Sequence, residues 1–321
     1  MPVHQFKGLT AAFLYNGSIA GGRHGRLTTL VSDQALEACM TKTLTQRYAA
    51  AAGLPVAGGE AFAEDSAQQA QERITAGGDW VVKPDSARSG RGLSFHVTEA
   101  DFSEAWALAA EARPRAAGLS QQIVLEKFHD GLTLRFFVVG GDVHAVSARI
   151  PLFVVGDGVS TVEQLLAASL AHRSRHALLL GSRREASTLS FNAPGAPALS
   201  EVLNDGQLRL LNEDGGVASG GLPCDVTDDV CDELRSLAGA AAEAIPGLGA
   251  GAVDIITPQL DSAKNAVVLD ADAKASVRMH RYPALGRRRR PMVEVTALLR
   301  LRAEYWDKQV STPASESSDD D

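Results

Sequence analysis

Apolar and polar positions along the chain fall into stretches of two different periods. MTKTLTQRYAAAAG (residues 40–53) has helical spacing, with Thr41 placed to cap the helix and Gly53 to stop it. ADFSEAWALAAEA (100–112) reads as a second helix and MVEVTALLRLRAEYW (292–306) as a last one. QQIVLEKF (121–128) carries the apolar run of a strand. LTLRFFVVGGDVHAVSARI (132–150) alternates as two strands around Gly140 and Gly141, the clearest hairpin in the chain. GAVDII (251–256) and AVVLDA (266–271) predict two further strands. Residues 160–215 read as helix followed by loop. The first 40 residues are mixed, with GGRHG (21–25) expected to be flexible, and residues 309–321 have the composition of a disordered acidic tail. No repeat of fixed period is present.

Composition narrows the class. With 321 residues, 45% hydrophobic and 22% charged, there is material for two or three lobes around sizeable cores. The N-terminus has no basic stretch leading into an apolar one, and no apolar run approaches the ~20 residues of a spanning helix, so a cytoplasmic protein without a membrane partner is expected. A net charge of −8 argues against a nucleic-acid surface and makes the run Arg287 to Arg290 a local matter, either a grip on a substrate carboxylate or a solvated helix start. Cys39, Cys224 and Cys231 fit neither a disulfide framework nor a zinc site and read as buried or idle thiols.

VVKPDSARSGRGLSFHV (81–97) places two glycines between apolar runs. It is not a P-loop, because Gly90-Arg91-Gly92-Leu93 lacks the Lys and the Ser/Thr. It is not a dinucleotide fingerprint, because Phe95 stands where a third glycine is needed and LSFHV alternates like a strand. A hairpin with a long glycine-bearing tip remains. It is either a flexible surface loop or a cradle whose backbone N–H groups meet polyphosphate, with an exposed Lys83 adding a point charge. Arg135 shares a strand face with Phe137 and Val139, and Arg149 one with Val143 and Ala145. An arginine on an apolar face needs an anion, a protein carboxylate or a ligand phosphate. Asp254, and Asp270 with Asp272 two positions on, are hard oxygen donors that suit Mg²⁺, or else simply end their strands. His172 and His176, spaced i and i+4 on a helix, read as surface histidines rather than a metal pair.

Taken in order, VVKP with its glycine loop, LEKFHDGLTLRFFVVGGDVHAVSARIPLFVVGDGVST, ASGGLPCDVTDD and GAGAVDIITP resemble the ATP-grasp superfamily, over residues 41–300. The resemblance is to the branch of cyanophycin synthetase and bifunctional glutathione synthetase. It implies an α+β ATP-grasp fold in which two α/β lobes clasp ATP. The expected layout is a short N-terminal segment (1–40), an ATP-grasp domain (41–308) with a small lid lobe at about 54–127 and a large lobe at about 128–308, then the tail. On this pattern Lys42 and Lys83 contact nucleotide phosphates, Ser89, Gly90, Arg91 and Gly92 belong to the lid, and adenine lies against the hinge at Glu126, Lys127 and Phe128. Arg135 and Arg149 match the catalytic arginines. Asp254, Asp270 and Asp272 match the metal carboxylates for Mg²⁺ (or Mn²⁺), the last two standing where the family usually has Glu-x-Asn. Ser219, Gly220, Lys274, Ser276, Arg278 and His280 line the substrate region. Thr133 replaces the usual acidic ribose contact and ADAKAS replaces the usual Asn-x-Pro-Gly-like turn.

The reaction implied is ATP-dependent amide formation between a carboxylate and an amine through an acyl phosphate, with two amino acids, or a short peptide and an amine, as small-molecule substrates. The alternatives are an inactive ATP-binding regulator and a ligase acting on a protein terminus. The length leaves no room for a second ligase domain, so a stand-alone enzyme, as a homodimer, is expected.

Overall fold

The computed structural model describes residues 1–87, 90–114, 116, 118–179, 189 and 191–311. It opens with an antiparallel meander of β1 (Val3–Gln5), β2 (Thr10–Tyr15), β3 (Ser18–His24) and β4 (Leu27–Thr28), paired in that order. GGRH (21–24), expected to be flexible, is therefore strand, with Gly25 in the turn that follows. Gly21 pairs with Phe13 and Gly22 with Ala12, and a Cβ on Gly21 would collide with Leu299 and Thr29. Glycine here serves close approach. Next come α1 (Asp33–Ala38) and α2 (Lys42–Ala51). Thr41 caps α2 as predicted, its hydroxyl accepting the Leu44 N–H at 3.2 Å, and Gly53 follows the helix at φ +76°.

The small lobe holds β5 (Glu60–Phe62), α3 (Ala67–Thr75), β6 (Trp80–Pro84), α4 (Phe102–Ala112) and β7 (Ile123–Lys127). Its sheet runs β5-β7-β6, all antiparallel. Val82, Ile123 and Leu125 point to one face and are covered by Ile74, Phe102, Trp106 and Ala109 from the two helices. The return strand expected over LSFHV shrinks to one bridge, Val82 with Ser94, because His96 takes a left-handed conformation (φ +51°) that ends it.

The remainder contains β8 (Leu132–Val139), β9 (Asp142–Ile150), β10 (Phe153–Val155), α5 (Val162–Arg173), β11 (Leu208–Leu210), β12 (Leu222–Asp225), α6 (Asp232–Glu243), β13 (Ala250–Thr257), β14 (Val267–Asp272), α7 (Arg278–Arg281) and α8 (Met292–Ser311). α8 runs past the expected start of the tail at 309, and residues 312–321 lie outside the described residues. Five of these strands form an antiparallel sheet, β12-β9-β8-β13-β14. One face buries Leu134, Phe136, Val146, Val253 and Ile255 under Leu234, Ala238 and Ala241 of α6, with Ala35, Ala38 and Ala49 from α1 and α2. Each such large side chain is worth roughly 1.5–3 kcal/mol of burial.

The other face changes character along its length. At one end Phe137, Val139, Ala145, Ala250 and Ala252 lie beneath Phe13, Leu30, Val295 and Leu299. The first 40 residues thus supply part of the cover of this face, through Phe13 and Leu30. At the other end the same face carries Arg135, Ser147, Arg149, Asp254, Asp270 and Asp272. Val143 does not join it. A bulge pairs Phe137 with Ala145 but Val138 with Val143, so the side chains beyond it swap faces and Val143 packs with the α6 core. Among the described residues no helix is long and apolar enough to cross a membrane.

Candidate active site

The charged end of the sheet is organised by one carboxylate. Arg135 pairs across the register with Asp254 and grips it bidentately, Nε to Oδ1 and Nη2 to Oδ2, both at 2.7 Å. Arg149 Nη2 donates to the same two oxygens at 3.2 and 2.9 Å. The anion these arginines need is therefore a protein carboxylate. Burial raises the Asp254 carboxyl, but Arg135 and Arg149 together hold it below the ordinary carboxylate range. The two arginines differ. Burial disfavours both cations, yet Arg135, with Asp254 wholly engaged and Asp272 at 3.4 Å, is pushed up, while Arg149 shares a carboxylate already half neutralised, is repelled by Arg135, and is pushed down.

The three aspartates do converge on this face, since Asp254 pairs with Asp270 and Ala252 with Asp272. They do not present three open carboxylates: among the described residues no group of three or more His, Cys, Asp or Glu has the geometry to hold a metal. Asp254 is spoken for. Asp270 and Asp272 fit a hard cation better. Asp270 is pushed up to about 6 by burial, with the Asp254 and Asp272 charges adding to it, a state that a bound cation relieves.

α2 reaches the site from beneath. Lys42 and Gln46, one turn apart, share a face of the helix. Lys42 Nζ donates to the carbonyls of Pro84, Asp85 and Ala87 at 3.5, 3.2 and 3.0 Å, where the glycine loop leaves β6. Burial lowers its pKa, against the pull of Asp270. Gln46 donates to Glu126 Oε2 at 2.9 Å and to the Leu269 carbonyl at 3.1 Å, tying the small sheet to β14. Lys83 is not exposed. It is 5% accessible, and its Nζ lies 2.6 Å from Glu126 Oε1, a diagonal neighbour on β7. Asp85 is buried and accepts from the N–H and the hydroxyl of Thr43, each at 3.1 Å to Oδ1. Gln46 and Asp85 escaped sequence reasoning; the only signal was a carboxylate directly after VVKP.

Gly90 and Gly92 both have φ +68°, and a Cβ on Gly90 would collide with the Asp214 carboxylate, so the loop tip rests on the segment before Ser219. Ser89 lies outside the described residues, and Arg91 is exposed. Ser219 Oγ donates to Asp214 Oδ2, and the Gly220 carbonyl accepts from Arg173 Nη1. The hinge residues point apart: Lys127 is exposed with Nζ 3.9 Å from the Trp80 ring, while Phe128 meets Phe95 and His96 and donates its N–H to the Asp79 carbonyl at 2.9 Å.

His96 joins the lobes. Nδ1 is 2.7 Å from Asp79 Oδ2 and Nε2 is 2.9 Å from Glu213 Oε1. Only the imidazolium donates from both nitrogens. Burial opposes the charge, but the bonds to Glu213 and Asp79 raise the pKa above 6.5. The contact is therefore complete below pH 6.5 and lost as pH rises through the raised value. Hydrogen exchange at Ser94 and Val97, whose N–H groups bond Val82 and Trp80, should quicken over that range beyond the intrinsic pH dependence, and His96→Gln should abolish the excess. An equal excess in the variant refutes the latch.

Of the remaining predicted residues, the Lys274 N–H donates to Asp272 Oδ1 at 2.9 Å, Ser276 Oγ accepts from the Arg278 N–H at 3.3 Å, and Arg278 reaches the Ala177 carbonyl at 3.0 Å. His280 is buried against Phe137, ring centroids 6.0 Å apart. Arg287 and Arg289 bond Asp228 and Asp225, so half of the basic run is neutralised within the protein. α5 ends at Arg173, which takes His176 off the helix; it meets the Pro283 carbonyl at 3.0 Å.

No family model matches the chain. Over 274 residues, 80% of the chain, it is 32% identical to the glutathione biosynthesis bifunctional protein of Enterococcus faecalis and covers 35% of that protein. It is 27% identical over 261 residues to the cyanophycin synthetase of Geminocystis herdmanii, covering 78% of this chain and 29% of that one. The crystal structure of a bifunctional glutathione synthetase from Pasteurella multocida matches 92% of this chain and 42% of its own, with a TM-score of 0.58 at 22% identity. The chain belongs to the ATP-grasp superfamily. It spans about a third of the length of these curated relatives. Within this ATP-grasp chain the small and large sheets are joined through α2 and by the bond from the Ala57 N–H to the Val268 carbonyl, 3.1 Å long. The lysines, arginines and aspartates described above lie at that junction.

Proposed function

We propose that the chain is an ATP-dependent, ADP-forming carboxylate–amine ligase that joins the carboxylate of one amino acid or short peptide to the amine of another through an acyl phosphate. The observation that carries this reading is the set of four buried or half-buried cations, Lys42, Lys83, Arg135 and Arg149, gathered at the junction of a glycine loop and the polar end of a sheet. The nucleotide supplies the phosphoryl group, and Mg²⁺, for which Asp270 and Asp272 are the fitting ligands, supplies neutralising charge. Lys42 and Lys83 hold phosphate oxygens. Arg149 and Arg135 stabilise charge as it spreads over the transferred group and then over the departing phosphate. The loop around Gly90 and Gly92 closes against Asp214 and Ser219 and keeps water from the activated carboxyl. No nucleophilic side chain is needed. The curated relatives, a glutathione biosynthesis protein and a cyanophycin synthetase, support an amino-acid or peptide substrate.

The test is ADP release with amino acids singly and in pairs, with products read by mass spectrometry. Release is expected to require an acid together with an amine, hydroxylamine is expected to replace the amine, and nucleotide with Mg²⁺ should raise Tm beyond nucleotide in chelator. A second reading, a nucleotide-binding regulator, is favoured by the closure of both guanidiniums on Asp254. It would show as nucleotide binding with no ADP released under any pairing.

A further inference from the structure

The last helix, α8, is apolar on two sides. Val295 and Leu299 turn inward, into the cluster with Phe13, Phe137 and Ala250. A helix on the surface of a domain ordinarily presents polar residues on its other side. Here the other side carries Val293, Leu301 and Tyr305, 54%, 61% and 58% accessible, with Ala297 exposed between them. These four recur at every fourth residue and form one row along the helix. Exposed apolar residues scattered singly need no explanation, but a contiguous row of them marks a surface that meets a partner. The spacing says which partner. Glu294, Ala297, Leu301, Tyr305 and Lys308 follow one another at intervals of 3, 4, 4 and 3 residues, which keeps them within a strip about 80° wide. The order is palindromic about Leu301. Two copies of α8 lying antiparallel across a two-fold axis at Leu301 bring Leu301 against itself. They set Ala297 against Tyr305 of the partner subunit and Glu294 against Lys308 of the partner subunit, and the symmetry makes each of these contacts twice. Small meets large, and anion meets cation. Like charges at 294 and 308 would have made the same arrangement repel itself. Of the other charges on this part of the helix, Arg300 and Glu304 pair with each other at 3.1 Å.

We propose that the outer strip of α8, from Glu294 to Lys308, is the face through which two copies of this chain associate, as an antiparallel helix pair with its two-fold axis at Leu301. The proposal does not depend on the reaction the chain catalyses. The strip is about 21 Å long and one helix wide, so the pair lies at the small end of specific interfaces, below the ~800 Å² per partner of a standard one. Such a dimer forms reversibly and comes apart on dilution. The apolar row supplies the driving force, and the two Glu294–Lys308 contacts fix register and direction, because sliding one helix along the other or turning it parallel removes both.

The experiment is sedimentation velocity of the full chain over about 1 to 100 µM, on wild type, Glu294→Lys, Lys308→Glu, the double variant Glu294→Lys/Lys308→Glu, and Leu301→Glu. Wild type is expected to pass from monomer toward dimer across that range. Each single charge reversal turns two attractive contacts into two repulsive ones and should weaken the dimer by about tenfold or more. The double variant restores opposite charges at both contacts and should regain wild-type association. Leu301→Glu, which sets two carboxylates against each other on the axis, should stay monomeric at every concentration. Leu301 and Lys308 are exposed and Glu294 is half-buried, so at the lowest concentration Tm should change by no more than a surface charge at a helix end accounts for, a few degrees. That separates loss of the contact from loss of the fold, and if Leu301→Glu failed to fold, the charge reversals would still decide. A wild type that stays monomeric throughout overturns the proposal. So does a dimer that Leu301→Glu leaves intact, which would place the contact on another face, and so does a double variant that associates no better than either single one.

Discussion

Asp254→Ala is expected to cost about 3–5 kcal/mol of stability, the usual penalty for removing one partner of a buried ion pair and leaving the other charge uncompensated. Here two cations are left. Asp254 is 4% accessible and accepts from Arg135 at 2.7 Å twice and from Arg149 at 3.2 and 2.9 Å. Without it, Arg135 keeps only Asp272 at 3.4 Å, and the repulsion between the arginines is no longer offset. Asp254→Asn should fall between, since it keeps the shape but not the charge. Adding Arg149→Met to Asp254→Ala should restore part of the loss, because contacting members of one network are not additive. The wild-type pH dependence follows from the same group: its pKa is depressed below 3.8, so its contribution is complete above that value and disappears as pH falls through the depressed one. Urea unfolding measures all of this. A loss under about 1 kcal/mol would mean that the cluster is solvated as a surface pair would be.

That cluster marks the boundary between what the sequence shows and what it does not. Each of its strands is legible, because Leu132 to Ile150 alternates with period two around a glycine pair and GAVDII is a short apolar run. The pairing is not. Arg135 meets Asp254 only because β8 and β13 lie side by side, a long-range register that no local pattern encodes. The bulge beside Phe137 is equally silent, and it reverses the face of Val143. Glycine misleads in the other direction: in GGRHG it permits close packing against Leu299, which reads in sequence as flexibility. Caps are local chemistry, so Thr41 and Gly53 emerge as read. The candidate site divides along the same line. Residue types and chain order identify the lysines, arginines and aspartates, but only the fold shows that both arginines already bind the one carboxylate of Asp254 and that, among the described residues, the Ser147 hydroxyl, unremarkable in sequence, has no hydrogen-bond partner.

Lys83 shows how much such a partner changes an expected result. Read as an exposed clamp, it could be removed without harm to the fold. At 2.6 Å from Glu126, with both side chains buried, it cannot. Lys83→Ala should therefore do two separable things. It should lower ADP-forming turnover by about 10²–10³-fold, the scale for deleting one preorganised donor to developing charge. It should also destabilise the chain by a few kcal/mol, because Glu126 is left with Gln46 alone, a neutral donor at 2.9 Å. The two effects part in the double variant Lys83→Met/Glu126→Gln, where an apolar stem faces a neutral amide and no buried charge is stranded. Its stability should return close to wild type while turnover stays lost. If turnover returned with stability, Lys83 would be holding the β6–β7 sheet together and nothing more, and the phosphate-facing role would pass to Lys42, whose Nζ already lies at the root of the loop.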